Sequence, residues 1–192
     1  MKDTRLNIQA DLDAILKIGK INSEVEHERA IMFYRQLRLI VKEHPELAHK
    51  RTELQGLIQA YEEKNWMNGD VSDELIAESD AAEAIIEKER IFFAKRKELI
   101  KHKLKELSLT QQDFGTILGH SSKSYISELI NGICSFSMRD FVLIHGLLNI
   151  CFEDLIPTSR IALERNKVVA TVHKINPDLK INEETLELLA AQ

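Results

Sequence analysis

Along residues 24 to 43 the apolar positions Ile31, Tyr34, Leu37 and Val41 recur at steps of three and four. That is one stripe on a helix, which Pro45 should end. Leu47, Leu54, Leu57, Ile58 and Tyr61 form a second stripe, and Asn65-Trp66-Met67-Asn68-Gly69-Asp70 reads as a break with Gly69 as its stop. Trp66 and Met67 can serve there as an interface anchor, but packing of the connector onto the preceding helices is the favoured reading. Ser72 can open a further helix from Glu74 to Arg90 that runs with little interruption into an amphipathic stretch, Lys95 to Leu107.

Beyond residue 107 the start and stop signals come close together. Thr110 is an N-cap with Asp113 three residues on, an acidic variant of the capping box, opening a helix from Gln111 to Leu118 that Gly119 ends. His120-Ser121-Ser122 make a turn before a third helix, Lys123 to Ile130, with Ile126, Leu129 and Ile130 facing inward and Asn131-Gly132 closing it. Ser137 caps Met138 to Leu148, whose core face is Phe141, Ile144, Leu147 and Leu148. Asn149 suits a left-handed stop, and Phe152 to Ile156 is a last turn before Pro157. In the tail, the run Val168 to Val172 fits a strand or the middle of a helix, and Asn182 can cap a final helix over Glu183 to Ala191.

Two helices of about eight residues joined by a tight turn are too short to stand alone, so they must pack on flanking helices, leaving one free to project. A projecting helix with short polar side chains at its start can enter the major groove of DNA. Ser122, Lys123, Ser124, Tyr125 and Ser127 suit that role: lysine donates to guanine O6 and N7, and serine serves several base edges or a phosphate.

Composition agrees with an all-α fold. Glycine and proline together number ten in 192 residues, while Leu, Ile, Glu, Lys and Ala dominate. The chain divides into a helical N-terminal module (1–69, binding a partner or a second copy), an acidic helical connector (70–94), a five-helix unit containing the helix-turn-helix (95–157) and a tail (158–192) that permits dimerisation. Net charge is −5 overall, made of −6 over residues 1–94, +1 over 95–157 and zero beyond. The acidic run from Asp70 to Glu89 can bind a basic partner, although a solvated connector is the plainer reading. The basic run from Lys95 to Lys105 can steer the chain to phosphates or form a solvated face, and its position beside the helix-turn-helix favours DNA.

No apolar run approaches the roughly 18 residues of a membrane span, so a cytoplasmic protein is expected. Cys134 and Cys151 lack metal or redox spacing and read as buried thiols. The seven histidines show no paired-ligand spacing, and His145 reads as a satisfied or edge histidine. Glu62 and Glu63 are adjacent on a helix and cannot face each other, and phosphate-binding glycine loops are missing. No catalytic, cofactor or metal residues are expected.

The run Leu109-Thr110-Gln111-Gln112-Asp113-Phe114-Gly115-Thr116-Ile117-Leu118-Gly119, then Lys123-Ser124-Tyr125-Ile126-Ser127-Glu128-Leu129-Ile130-Asn131-Gly132, resembles the Cro and phage-repressor (XRE) helix-turn-helix family over residues 95–157. The resemblance implies a lambda-repressor-like domain binding double-stranded operator DNA as a homodimer. Gln111, with Gln112 beside it, would contact a phosphate or brace the recognition helix; Lys123, Ser124 and Ser127 would face bases; and Asn131 would hold the DNA backbone. The chain departs from the family in a turn one residue longer, in Glu128 where a base is common, and in Ile133-Cys134 after Asn131-Gly132, so a modest phosphate affinity is expected.

Residues Glu53 to Trp66, and Met138-Arg139-Asp140-Phe141, are similar to segments of HigA-type antitoxins. This second resemblance implies that the chain neutralises a small basic RNA-cleaving toxin and represses its own operon. Two further readings stand beside it: an interaction module in which DNA binding is secondary, and a repressor without a toxin.

Overall fold

The computed structural model describes residues 12–67, 72–157, 165–177 and 179. They are helical throughout, with no strand among them. The expected stop at Gly69 and the final helix from Asn182 lie outside the described residues.

The chain opens with α1 (Leu12–Ile18) and α2 (Glu24–Ile40), where Ser23 caps α2 by accepting from the Glu26 amide. Pro45 ends no helix directly; it starts a single 3-10 turn (Pro45–Leu47) that leads into α3 (Ala48–Asn65). Then α4 runs unbroken from Asp73 to Glu106. Its 34 residues extend about 50 Å at 1.5 Å per residue. The connector and the first helix of the next unit are therefore one rod, and no helix end falls at residues 94 and 95.

Four short helices fold against its second half: α5 (Gln111–Leu118), α6 (Lys123–Ile130), α7 (Met138–Leu148) and α8 (Phe152–Leu155). Local signals explain their limits. Both Thr110 with Asp113 and Ser137 with Asp140 form complete reciprocal capping boxes, and Gly119 and Asn149 end their helices in the left-handed conformation. The valine run belongs to α9 (Arg165–Ile175), so it is helical.

Two cores share α4. The first gathers Leu12, Ile15, Ala30, Phe33, Leu37, Leu54 and Ile58 around Ile86 and Phe93. The buried face of α2 is set by Ala30, Phe33 and Leu37, a notch away from the expected stripe, since Ile31, Tyr34 and Val41 are only half-buried. In the same core, α2 and α4 run in one direction, with Glu28 near Glu83, Arg29 on Glu89 and Glu43 near Lys97. The second core joins Ile100 and Leu104 to Phe114, Leu118, Ile126, Leu129, Ile130, Phe136, Ile144 and Leu148. Leu147, expected inside, is exposed, and the capping Asp140 is buried on that helix with Ile144 and Leu148.

The two cores meet at the loop after α6. Ile133 belongs to the first core, and its carbonyl accepts from the Leu12 amide at 3.1 Å. Gly132 makes that approach possible: its φ is +75°, and a Cβ there would stand 2.6 Å from Phe93 Cγ.

Candidate nucleic-acid interface

The α5–turn–α6 unit is fixed from two sides. From α7, the Arg139 guanidinium donates to the Leu118 carbonyl at 2.7 Å and completes the C-terminal end of α5. The Asp140 carboxylate accepts from the Ser137 amide and hydroxyl at 3.0 and 2.7 Å and lies 3.3 Å from His120 Nε2, so it also holds the turn. His120 in turn meets the Tyr125 ring edge-on. From α4, the buried Arg96 donates to the Leu129 and Leu155 carbonyls at 3.3 and 3.1 Å, with its guanidinium over the Phe93 and Phe136 rings. A cation on the last carbonyls of α6 is favoured by the helix dipole.

Within this frame the expected site residues fall into two groups. Gln111, Ser122 and Lys123 are exposed at the starts of α5 and α6. Ser122 is the N-cap, accepting from the Tyr125 amide, with its hydroxyl 3.0 Å from that of Ser124. Gln112 and Tyr125 are half-buried. A cleft of about 430 Å³ beside Gln111 is lined by Lys101, Lys105, Ser108 and Thr110, which puts two lysines of α4 next to the first turn of α5. The Asp113 carboxylate closes that turn, and hydrogen bonds from Thr110 hold its pKa below the usual aspartate value.

The second group is buried or half-buried and engaged within the protein. Ser124, Ser127, Glu128 and Asn131 share one face of α6 by their spacing of three and four. Ser127 is 6% exposed and so does not present its hydroxyl to a groove. Ser124 lies near Glu46 of the 3-10 turn; a backbone hydrogen bond lowers the Glu46 pKa, and the nearby Ser124 hydroxyl lowers it further. Asn131 accepts from Lys97 at 2.8 Å and donates to the Ser127 carbonyl at 2.8 Å, so it braces the end of α6 within the protein. Burial, with Lys101 nearby, pushes the Lys97 pKa down.

Glu128, 2% exposed, accepts from Lys50 of α3 at 2.7 Å, and Lys50 also pairs with Asp13 at 2.9 Å. Burial alone would lower the Lys50 pKa, but the two carboxylates outweigh it and raise the value. Sequence reasoning marked Glu128 as unusual but found neither Lys50 nor Glu46, whose spacing within their own helix and turn carries no sign of it. Of the two thiols expected inside, Cys134 is buried, with Sγ 3.5 Å from Glu128 and 3.9 Å from Asp13, whereas Cys151, at the N-cap of α8, is exposed.

Trp66 is half-buried and its indole donates to Glu24 at 3.2 Å, which favours packing within the module, while Met67 is exposed. His145 is largely exposed, stacks on Phe152 and lies 2.8 Å from the Ile150 carbonyl. Among the described residues no group of acidic, histidine or cysteine side chains can hold a metal, and no helix is long and apolar enough to cross a membrane. No family model, curated protein or solved structure matches the chain.

Proposed function

We propose that the chain is a sequence-specific DNA-binding transcriptional regulator whose α5–α6 unit is a helix-turn-helix of the phage-repressor type. The observation that carries this reading is the placement of Gln111 and Lys123 at the exposed starts of two eight-residue helices, with Lys101 and Lys105 beside the first. In such a unit Gln111 and the α4 lysines anchor phosphates, and Lys123 reads a guanine edge from the first turn of the recognition helix. One short helix contacts few bases, so the regulator binds as a dimer on two half-sites one helical turn apart. On this reading it is the antitoxin of a HigB–HigA-like pair and represses its own operon.

The test is selection of duplexes from a random pool by the full chain, then fluorescence anisotropy on the selected and scrambled duplexes at two salt concentrations. Tighter binding to the selected duplex that weakens with salt supports the reading, and equal weak binding to both overturns it. Lys123→Ala should cost about 1 to 3 kcal/mol on the selected duplex and relax the preference at one base pair, measured in the same titration.

A second reading, an interaction module for a basic protein, draws on the first half of α4. There Asp73, Glu74, Glu78, Asp80, Glu83 and Glu87 are all exposed. Co-purification of a small basic protein that regains RNA cleavage once released would move this reading to first place.

A further inference from the structure

We infer that the N-terminal module and DNA compete for one face of α6, so that the closed arrangement of module on helix is a self-inhibited form held by the Lys50 to Glu128 latch. The inference rests on the DNA-binding reading of α6, and it specifies how that site is regulated. Ser124 and Ser127 are the positions from which a recognition helix reaches bases beyond its first turn, yet Ser124 is half-buried beside Glu46 with its hydroxyl 3.0 Å from that of Ser122, and Ser127 is buried. What stands near Ser124 is acidic, as a DNA backbone would be. Glu46 offers a carboxylate where a phosphate or base acceptor would come, and Asp13 lies one lysine away from Glu128.

Glu128 itself makes sense only in the closed form. On an open recognition helix its carboxylate faces phosphates and opposes binding, whereas here it has a cation at 2.7 Å contributed from 78 residues away. Breaking one partner of such a pair leaves an uncompensated charge, so the pair acts as a latch and not merely as glue.

Apart from Ile133, the apolar packing of the module involves neither α6 nor the loop after it. Its apolar packing is on α2, α3 and α4 through Phe33, Leu37, Leu54 and Ile86. Its hold on α6 and the loop after it consists of Lys50 on Glu128, Glu46 beside Ser124, Asp13, the Leu12 amide and the buried Ile133. Because a site that is open only part of the time binds with an affinity reduced by its open fraction, loosening the latch should tighten DNA binding.

The sign of the effect makes the test discriminating. Lys50→Glu replaces the latch cation by a carboxylate facing Asp13 and Glu128. By long-range electrostatics alone the variant should bind DNA more weakly, since it carries two fewer positive units. The control is Lys64→Glu, the same change at an exposed position near the end of α3. Anisotropy uses the fluorescein-labelled duplex selected by the wild-type chain. Opening is read separately by maleimide labelling, in which exposed Cys151 reacts fast and buried Cys134 slowly.

The expected result for Lys50→Glu is a Kd at least about fivefold lower than wild type, together with faster Cys134 labelling and an unchanged helical circular dichroism signal. Lys50→Met, which removes attraction without adding repulsion, should move both readings the same way by less, and it serves if the glutamate variant fails to fold. Faster Cys134 labelling with binding no tighter than that of Lys64→Glu overturns the competition. Unchanged Cys134 labelling with unchanged binding overturns the latch. If Cys134 is released and no variant, nor the wild type, distinguishes the selected from a scrambled duplex, the DNA-binding reading itself has failed and the inference falls with it.

Discussion

The two halves of α4 support cores of different character. Around its first half, the N-terminal module buries charge: Glu24 accepts from Tyr61 and Trp66, His27 stacks on Tyr61 between Glu24 and Glu62, and Arg29 meets Glu89 at 2.6 Å with both side chains inside. Around its second half, α5 to α8 close over aromatic edge contacts among Phe114, Phe136 and Phe141, and the charge buried from α4, Arg96, donates to backbone carbonyls. The caps differ as well. Complete capping boxes and left-handed stops define α5 and α7, while α3 begins without any side-chain cap. The second core is specified by short-range signals and apolar fit; the first depends on polar partners brought together from distant parts of the chain.

If that contrast is right, the largest loss should come from breaking a pair in the first core. Arg29→Met takes the guanidinium away from the buried Glu89 carboxylate and should destabilise the fold by about 3 to 5 kcal/mol in urea denaturation, with much of the loss recovered in the double variant Arg29→Met, Glu89→Met. A weak effect of the single change would mean that the module does not rely on its buried charges. The seam between the cores comes next. Gly132→Ala forces a side chain into the left-handed region and onto the Phe93 ring, at a cost of about 2 to 4 kcal/mol, read from the shift in midpoint.

Within the second core a local signal should matter by the size of one cap: Ser137→Ala should cost about 1 kcal/mol by the same measurement. The smallest effect is one of pH. Burial raises the Glu28 pKa above the usual glutamate value, and Glu83 reinforces the shift against His27 and Arg35. A carboxyl raised in the folded state binds its proton more tightly there, so its ionisation costs stability as pH climbs from the unfolded to the folded pKa. Glu28→Gln should therefore raise the melting temperature slightly at neutral pH, and the gain should vanish as pH falls through the carboxylate range.

How far the sequence was legible tracks the same division. Thr110, Asp113, Gly119, Ser122, Ser137 and Asn149 announce helix limits within four residues of where they act, and the structure has α5, α6 and α7 between those signals. On α2 the apolar stripe predicted a helix but misplaced its buried face, because Arg29 and Glu24 are inside and periodicity counts them as outward. The turn at Gln111 and Lys123 was legible as a candidate site for its residue types and spacing. That Ser127 and Asn131 are turned to other parts of the protein was not, since neither signal involves anything but α6 itself.

By itself, then, the chain determined an all-helical protein, the ends of its short helices and the exposed polar starts of α5 and α6, because caps, left-handed stops and amphipathic spacing all act over a few residues. Tertiary structure alone decided that α4 is one rod serving two cores and that the outer face of α6 is covered. The reason is that Lys50, Glu46 and Glu128 look like ordinary surface charges in the sequence, and become partners only when α3 and the 3-10 turn are laid against α6.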